Sequence, residues 1–459
     1  MKGDFSRLTF DPRKGFLRVL MQQGRVQLDA DVNEQAAILL HYLQALAADL
    51  IGPHGGPRTP LTRLGTSGGF AIALVPGPED KPIPDQYQLT PGRYYVDGLL
   101  VENDQPRHSE SPGRFLPGRL APDKRHVLYL DVWEREVTYI QDNSIREVAL
   151  GGQDTSLRTW VVWRVRSTDK TPEGASIPEG ITPENVQEWS WQTGNRGLLQ
   201  ARARRDGAKD DNPCVTSPEA RYRGPENQLY RVEIHRGGPA GEATFKWSRD
   251  NGMVVFAIRR MQGDMAYLEH MGRDERTGLR SGDWVELIDD ERDEGGEGIL
   301  LQVGATDARE TAVRLTAPQG AEIDLPEYDE EEAEAKHPYL RRWDHREGSA
   351  SQGVPRLTAG AMVLREGLGD DAWMTLEDSI QIRLQPGAAY RAGDYWVIPA
   401  RTATGDVEWP GLVEQPETRE PHGVRHRFAP LAIVSVEGNG NLTPQDTRRL
   451  FDPAGNLAE

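Results

Sequence analysis

The chain has 459 residues, enough for two to four domains with substantial cores, although only 37% of it is hydrophobic. Its 48 glycines and 32 prolines fit many short strands joined by punctuated loops. A net charge of −18 argues against a nucleic-acid partner, which needs a basic face, and a single cysteine, Cys214, excludes a disulfide framework and any multi-thiolate zinc site.

In residues 16–53 a polar turn, Gln22-Gln23-Gly24, leads into a short strand-like run and then one helix. Asp31 and Glu34 are spaced as in a capping box, and Gly52-Pro53 is a stop signal. Val32, Ala36, Leu39, Leu43, Leu46 and Leu50 recur at steps of four and three, a heptad-like stripe that Leu40, Ala47 and Ile51 widen. A helix this apolar must be covered, either by its own β domain or by a neighbouring subunit. If the latter, Leu39, Leu43, Leu46 and Leu50 are the docking candidates.

A loop, His54-Gly55-Gly56-Pro57, hands over to strand signals at 86–89, 93–96 and 99–101, the last two flanking Asp97-Gly98, a type I′ hairpin pattern. Strands follow over 126–140 and 157–166. In the latter Thr159, Val161, Trp163 and Val165 share one face, and Trp160, Val162, Arg164 and Arg166 the other. Between 167 and 225 prolines break the pattern, leaving one short helix at 183–189 and a basic run, Arg202-Ala203-Arg204-Arg205, read as a solvated loop. Strands resume at 229–235, 243–247, 253–258, 284–288, 300–303 and 312–315, as a small barrel or sandwich. An acidic run at 324–334 reads as a solvated boundary before strands at 380–384, 395–398 and 431–436.

The expected fold is mainly β: several small antiparallel sandwich or barrel modules with one prominent N-terminal α-helix. The expected division is 1–60, a strand–helix docking segment; 61–170, a β domain; 171–226, a proline-rich insertion; 227–323, a barrel or sandwich; 324–345, an acidic linker; and 346–459, a C-terminal β domain.

Signals for chemistry are sparse. There is no phosphate-binding glycine loop and no Gly-x-Ser-x-Gly elbow, so no catalytic residue and no cofactor is expected. His422 and His426, with Asp406 or Glu408, invite a metal, but Pro421 and Gly423 disfavour the helix that would aim both imidazoles together. Residues 289–295 resemble a calcium loop whose glycine comes one place late and whose twelfth position is Leu300, not Glu; an exposed acidic hairpin turn explains them. No metal is expected. Trp189 and Trp191 alternate, so on a strand they share a face: exposed, with Trp409 as a further candidate, they would stack on a glycan or a partner; buried, they are core.

The opening, MKGDFSRLTFDP and then MQQGRVQLDADVNEQAAILLHYLQALAADLIGP, resembles a bacterial family of unknown function encoded with phage-tail-like contractile injection systems. The stretches EVALGGQDTSLRTWVVWRV (147–165), NQLYRVEIHRGGPAGEATFKWSRDNG (227–252) and GDYWVIPARTATGDVEWP (393–410) resemble the same family, with Val32 where such motifs have Trp. The hairpin TPGRYYVDGLLVEN (90–103) resembles modules of phage baseplate and tail-fibre proteins. The resemblance implies a non-enzymatic structural component of a contractile particle, at the baseplate periphery or in the tail-fibre region, docked through its N-terminal helix. Its implied partners are other particle subunits, an envelope glycan or receptor, or further copies of itself. A carbohydrate- or envelope-binding module is the alternative, and a particle-attached hydrolase a third. MKGDFSRLTF has no apolar signal core and no stretch approaches eighteen apolar residues, so synthesis in the bacterial cytoplasm is expected, with release on lysis.

Overall fold

A computed structural model describes residues 1–61, 64–78, 81–189, 191, 195–204, 221–222, 224–272, 274, 276–295, 297–319, 321–348, 353–377 and 379–453. Cys214, Arg205, Pro213 and Pro218 lie outside these residues. The fold is mainly β, with several antiparallel sheets and a prominent N-terminal helix, α1 (Asp29–Ile51). Three short helices follow among the described residues: α2 (Pro183–Gln187), α3 (Asp290–Gly295) and α4 (Glu330–Lys336).

The chain forms two compact units, each discontinuous in sequence. One comprises Thr9–Arg135, Thr159–Thr193 and Arg425–Glu459. In it, Leu450–Phe451, His54–Pro57, Gly92–Val96 and Leu99–Asn103 form a four-stranded sheet, so His54–Pro57 is a strand and not the expected loop. It pairs parallel to Leu450–Phe451 and antiparallel to Gly92–Val96. Asp97 and Gly98 both hold positive φ, 47° and 76°, as the type I′ hairpin requires. A second four-stranded sheet orders Arg158–Thr168, Lys124–Val137, Arg427–Val436 and Leu442–Asp446. Alternation decides its faces: Leu128, Leu130, Val132, Trp163 and Val165 enter a core that also holds Tyr87, Leu89 and Tyr94.

The other unit comprises Met1–Leu8, Glu136–Arg158 and Gly194–Val424. Val255–Gln262, Met265–Leu268, Ala312–Thr316, Ile299–Asp307, Trp284–Ile288 and Tyr339–Trp343 close a six-stranded barrel, which leaves no free edge. The strands expected at 229–235 and 243–247 lie elsewhere. Gln228–Arg236 and Thr244–Ser248 join Tyr395–Arg401 in a six-stranded sheet whose core buries Trp247, Trp396 and Phe245. The run expected as an acidic boundary instead carries α4, capped by Asp329 accepting from the Glu332 amide at 2.8 Å, and then the barrel strand Tyr339–Trp343. Arg202 is no loop residue either. It lies in the strand Leu199–Ala203, with its guanidinium 3.8 Å over the Trp373 ring and Nε donating to Gln381.

Candidate docking surface

Helix α1 begins at Asp29, two residues before the expected capping pair. Its N-cap is Leu28, which supplies no side-chain acceptor, so Asp31 sits inside the first turn, where its charge complements the helix dipole. It ends as expected, with the Gly52 amide donating to the Ala48 carbonyl at 2.8 Å. At 3.6 residues per turn Val32, Leu39, Leu43, Leu46 and Leu50 fall within roughly 60° of one another. That face is open: Leu50 is 78%, Leu43 60%, Leu39 54% and Leu46 42% exposed.

The helix is seated by its other side. Ala30 and Ile38 are buried, the Thr9 hydroxyl donates to Glu34 at 2.6 Å, and Phe10 lies 5.6 Å from His41. Two glycines allow the close approach. A Cβ on Gly98 would stand 2.2 Å from the Gln44 carbonyl oxygen, and one on Gly55 would stand 2.8 Å from the Ile51 methyl. Gly98→Val therefore meets both a backbone clash and a positive φ. It is expected to lower stability by roughly 1–3 kcal/mol and to make α1 the first site cut in limited proteolysis. An unchanged cleavage pattern would show that the hairpin does not seat the helix.

The sequence reading missed the segment before the helix. Residues 16–28, expected to include a short strand, form an extended arm with no strand in it. The Val19 amide donates to the Gln35 side chain at 2.8 Å and the Arg25 amide closes a turn on the Gln22 carbonyl. Phe16, Leu17, Leu20, Met21, Val26 and Leu28 all lie exposed. Thirteen of the twenty-four exposed large hydrophobic side chains among the described residues fall between Phe16 and Leu50. Apolar side chains exposed in such number within one stretch make it the candidate contact surface. The run FLRVLM, apolar without period-two alternation, was the available signal.

The tryptophan candidates are packed. Trp189 and Trp191, 5.4 Å apart, are half-buried against Val127, Val186 and Ile433, and Trp191 lies 4.3 Å from Tyr129 and stacks on Phe428. Trp191 is flanked by three other rings, and neither indole lies on a strand, so the shared strand face expected for them is not formed. Trp409 belongs to the other unit, packs against its core and donates to the Glu417 carbonyl at 2.9 Å.

The metal candidates are engaged separately. His422 stacks on Tyr395, His426 Nδ1 meets Asp131 at 2.6 Å, Asp406 pairs with Arg221 at 3.0 Å, and Glu408 with Arg7 at 3.4 Å. Residues 290–295 are helical and not a hairpin turn. Asp289 accepts from the Arg292 amide at 2.8 Å and from the Tyr328 hydroxyl at 2.6 Å. Among the described residues no group of three or more His, Cys, Asp or Glu side chains is placed to hold a metal ion.

Two cavities open among the described residues. One of about 420 Å³ is walled by Pro57, Leu64, Pro91 and glycines 68, 69 and 92. The other, about 760 Å³, is polar and lined by Arg280, Asp283, Trp284, Arg346 and Glu347. There Asp283 already accepts from the Arg280 amide at 2.9 Å and faces Arg346 at 3.5 Å.

The strongest cluster of ionisable groups is buried in the unit that holds the barrel. Glu233 meets Arg231 at 2.6 Å, Lys246 at 3.3 Å and Lys2 at 3.7 Å. Lys246 continues to Glu286, and Lys2 to Glu136 at 3.7 Å. Burial pushes the Glu136 carboxyl up, but Lys2, the Met1 amine, Arg341 and Arg231 outweigh it and hold it at about 2. Against the same burial, Lys2, Arg231 and Lys246 keep Glu233 below the carboxylate range, and Lys246 lowers Glu286. These three acids are held ionised and paired, which suits a scaffold and not proton donation.

Burial drives His54, His235 and His345 down to about 4, so each is neutral in the fold. The unfolded chain takes up protons on these imidazoles from about pH 6.5, so their contribution is lost as pH falls from 6.5 to 4. The depressed carboxylates add stability above their ordinary range and lose it further down, toward pH 2. The unfolding free energy from urea titration is therefore expected to fall steadily from pH 7 to 4.5, by up to about 1.4 kcal/mol per pH unit for each buried histidine, with a falling midpoint. A flat midpoint across that window would contradict neutral burial.

Among the described residues no helix is long and apolar enough to cross a membrane. Over residues 1–183 and 194–442 the sequence matches a protein family described as a Family of unknown function (DUF6519). No curated protein and no solved structure matches the chain.

Proposed function

The chain belongs to this family of unknown function, and on that premise we propose that it is a non-enzymatic structural subunit of a phage-tail-like contractile injection particle, at the baseplate periphery or in the tail-fibre region. It joins the particle through its N-terminal arm and helix. The observation that carries this reading is the concentration of exposed apolar side chains in residues 16–50, on a helix whose stripe points away from the side that seats it. The motif resemblance supplies the kind of assembly. The remaining β modules, a closed barrel and several open sheets, supply the scaffold that presents loops to a fibre, an envelope or a receptor.

The test is co-purification from the native host. Leu43→Glu with Leu46→Glu, in the full chain, is expected to fold as the parent does and to be missing from purified particles that contain the parent. Retention at parental levels would overturn the reading. Point changes serve better than removal of the first 51 residues, because Lys2 belongs to the buried charge cluster.

A further inference from the structure

Resting on the reading of residues 16–51 as a contact surface, we infer that its immediate occupant is a second copy of this chain. The basic apolar arm of each copy lies along the acidic apolar outer face of α1 in the other. The charges are complementary within one short stretch. Residues 16–28 carry Arg18 and Arg25 and no acid, in a chain whose net charge is −18. Helix α1 carries Asp29, Asp31, Glu34 and Asp49 and no Lys or Arg. Asp31 and Asp49 are five turns apart, so both border the same flank of the leucine stripe, one at each end.

Shape and backbone agree with charge. Residues 16–28 form neither helix nor strand, and Phe16, Leu17, Leu20, Met21 and Val26 along them are exposed beside the two arginines, so the arm offers both apolar and basic side chains to a partner. Asp29, Asp31 and Asp49 are the acids beside the stripe, all near the helix ends, and the middle of its border (Gln35, Leu40, Tyr42 and Ala47) is uncharged, so basic arms and not a second acidic helix face suit those ends. A two-fold arrangement makes the arm-on-helix contact twice, and every residue that gives also receives.

The experiment is light scattering on the purified full-length chain, with two charge-reversal variants at the arm and at the helix. The parent is expected at the mass of two chains of 51.2 kDa each, with the dimer weakening as salt rises. Arg18→Glu with Arg25→Glu, and separately Asp31→Lys with Asp49→Lys, are each expected to weaken self-association at least tenfold with an unchanged circular dichroism spectrum. Mixing the two variants restores a dimer, because each arm then meets an oppositely charged helix. A monomeric parent, a dimer indifferent to both variants, or variants that fail to complement one another would each overturn the inference. A monomeric parent whose Leu43→Glu/Leu46→Glu form is still lost from particles overturns the pairing and leaves the proposed function standing. Charge-dependent dimers that enter particles despite those glutamates support the pairing and remove the proposed function.

Discussion

Lys246→Met is expected to destabilise the unit that contains it by roughly 3–5 kcal/mol, the range for removing one partner from a buried ionic network. Lys246 is the shared cation of two carboxylates, 3.3 Å from Glu233 and within hydrogen-bond reach of Glu286, and all three side chains are about 4% exposed. Methionine keeps the length and apolar stem but leaves both acids facing each other with less compensation. Glu233 retains Arg231 and Lys2; among the described side chains Glu286 retains the indole N–H of Trp343, at 2.9 Å, and no cation within ion-pair distance. The added change Glu286→Gln is expected to recover part of the loss, and a double-mutant cycle in chemical denaturation reads the coupling. The surface pair Lys336–Glu332, half-exposed at 3.1 Å, is the control, with an expected change within about 0.5 kcal/mol. Equal losses at both lysines would mean that the cluster is not a stability determinant.

Leu43→Glu with Leu46→Glu is expected to have the opposite profile, little effect on folding and a large one on contact. Both side chains already meet solvent over about half their surface, so the fold loses less than about 0.5 kcal/mol per site. In a closed contact each leucine would bury its remaining surface for roughly 1 kcal/mol. Each glutamate would instead bring a carboxylate into an apolar seam at several kcal/mol. One such replacement, at about 4 kcal/mol in all, corresponds to a roughly thousandfold weaker contact, and the pair to at least that. Titration of the parent and the variant against the same binding partner, with matched thermal unfolding curves, separates the two effects.

Much of the local structure was legible. The Asp97-Gly98 pair announced its hairpin, Gly52 its helix end, and alternating Val, Leu and Ile most of the barrel strands. Tyr339–Trp343 was hidden because Arg341 and Arg342 occupy its centre. A run with two arginines after an acidic stretch reads as solvent-facing, yet both are buried, with Arg342 donating to the Gly278 carbonyl at 2.9 Å. Leu199–Ala203 was hidden for the same reason, its Arg202 lying flat on Trp373. In both cases polar side chains satisfied by distant partners broke the apolar pattern on which strand reading depends.

The leucine stripe of α1 was visible as a pattern but not as an orientation. Periodicity says that one face of a helix is apolar; it does not say which face its own domain takes. Here the domain takes the side bearing Ala30, Gln44 and Ile51, because glycines at 98 and 55 let backbone come close to Gln44 and Ile51. The buried charge cluster left no trace in spacing, since Lys2, Glu136, Glu233, Lys246 and Glu286 are drawn together from the full length of one discontinuous unit.

Site-specific photo-crosslinking in the native host probes the outward face of α1 most directly. A photoreactive amino acid at position 43 is compared with one at position 412, where Leu412 is comparably exposed in a separate short hairpin. The expected result is a covalent adduct from position 43 to a second polypeptide, and none from position 412. Adducts at neither position, or equally at both, would contradict a contact surface built on the N-terminal helix.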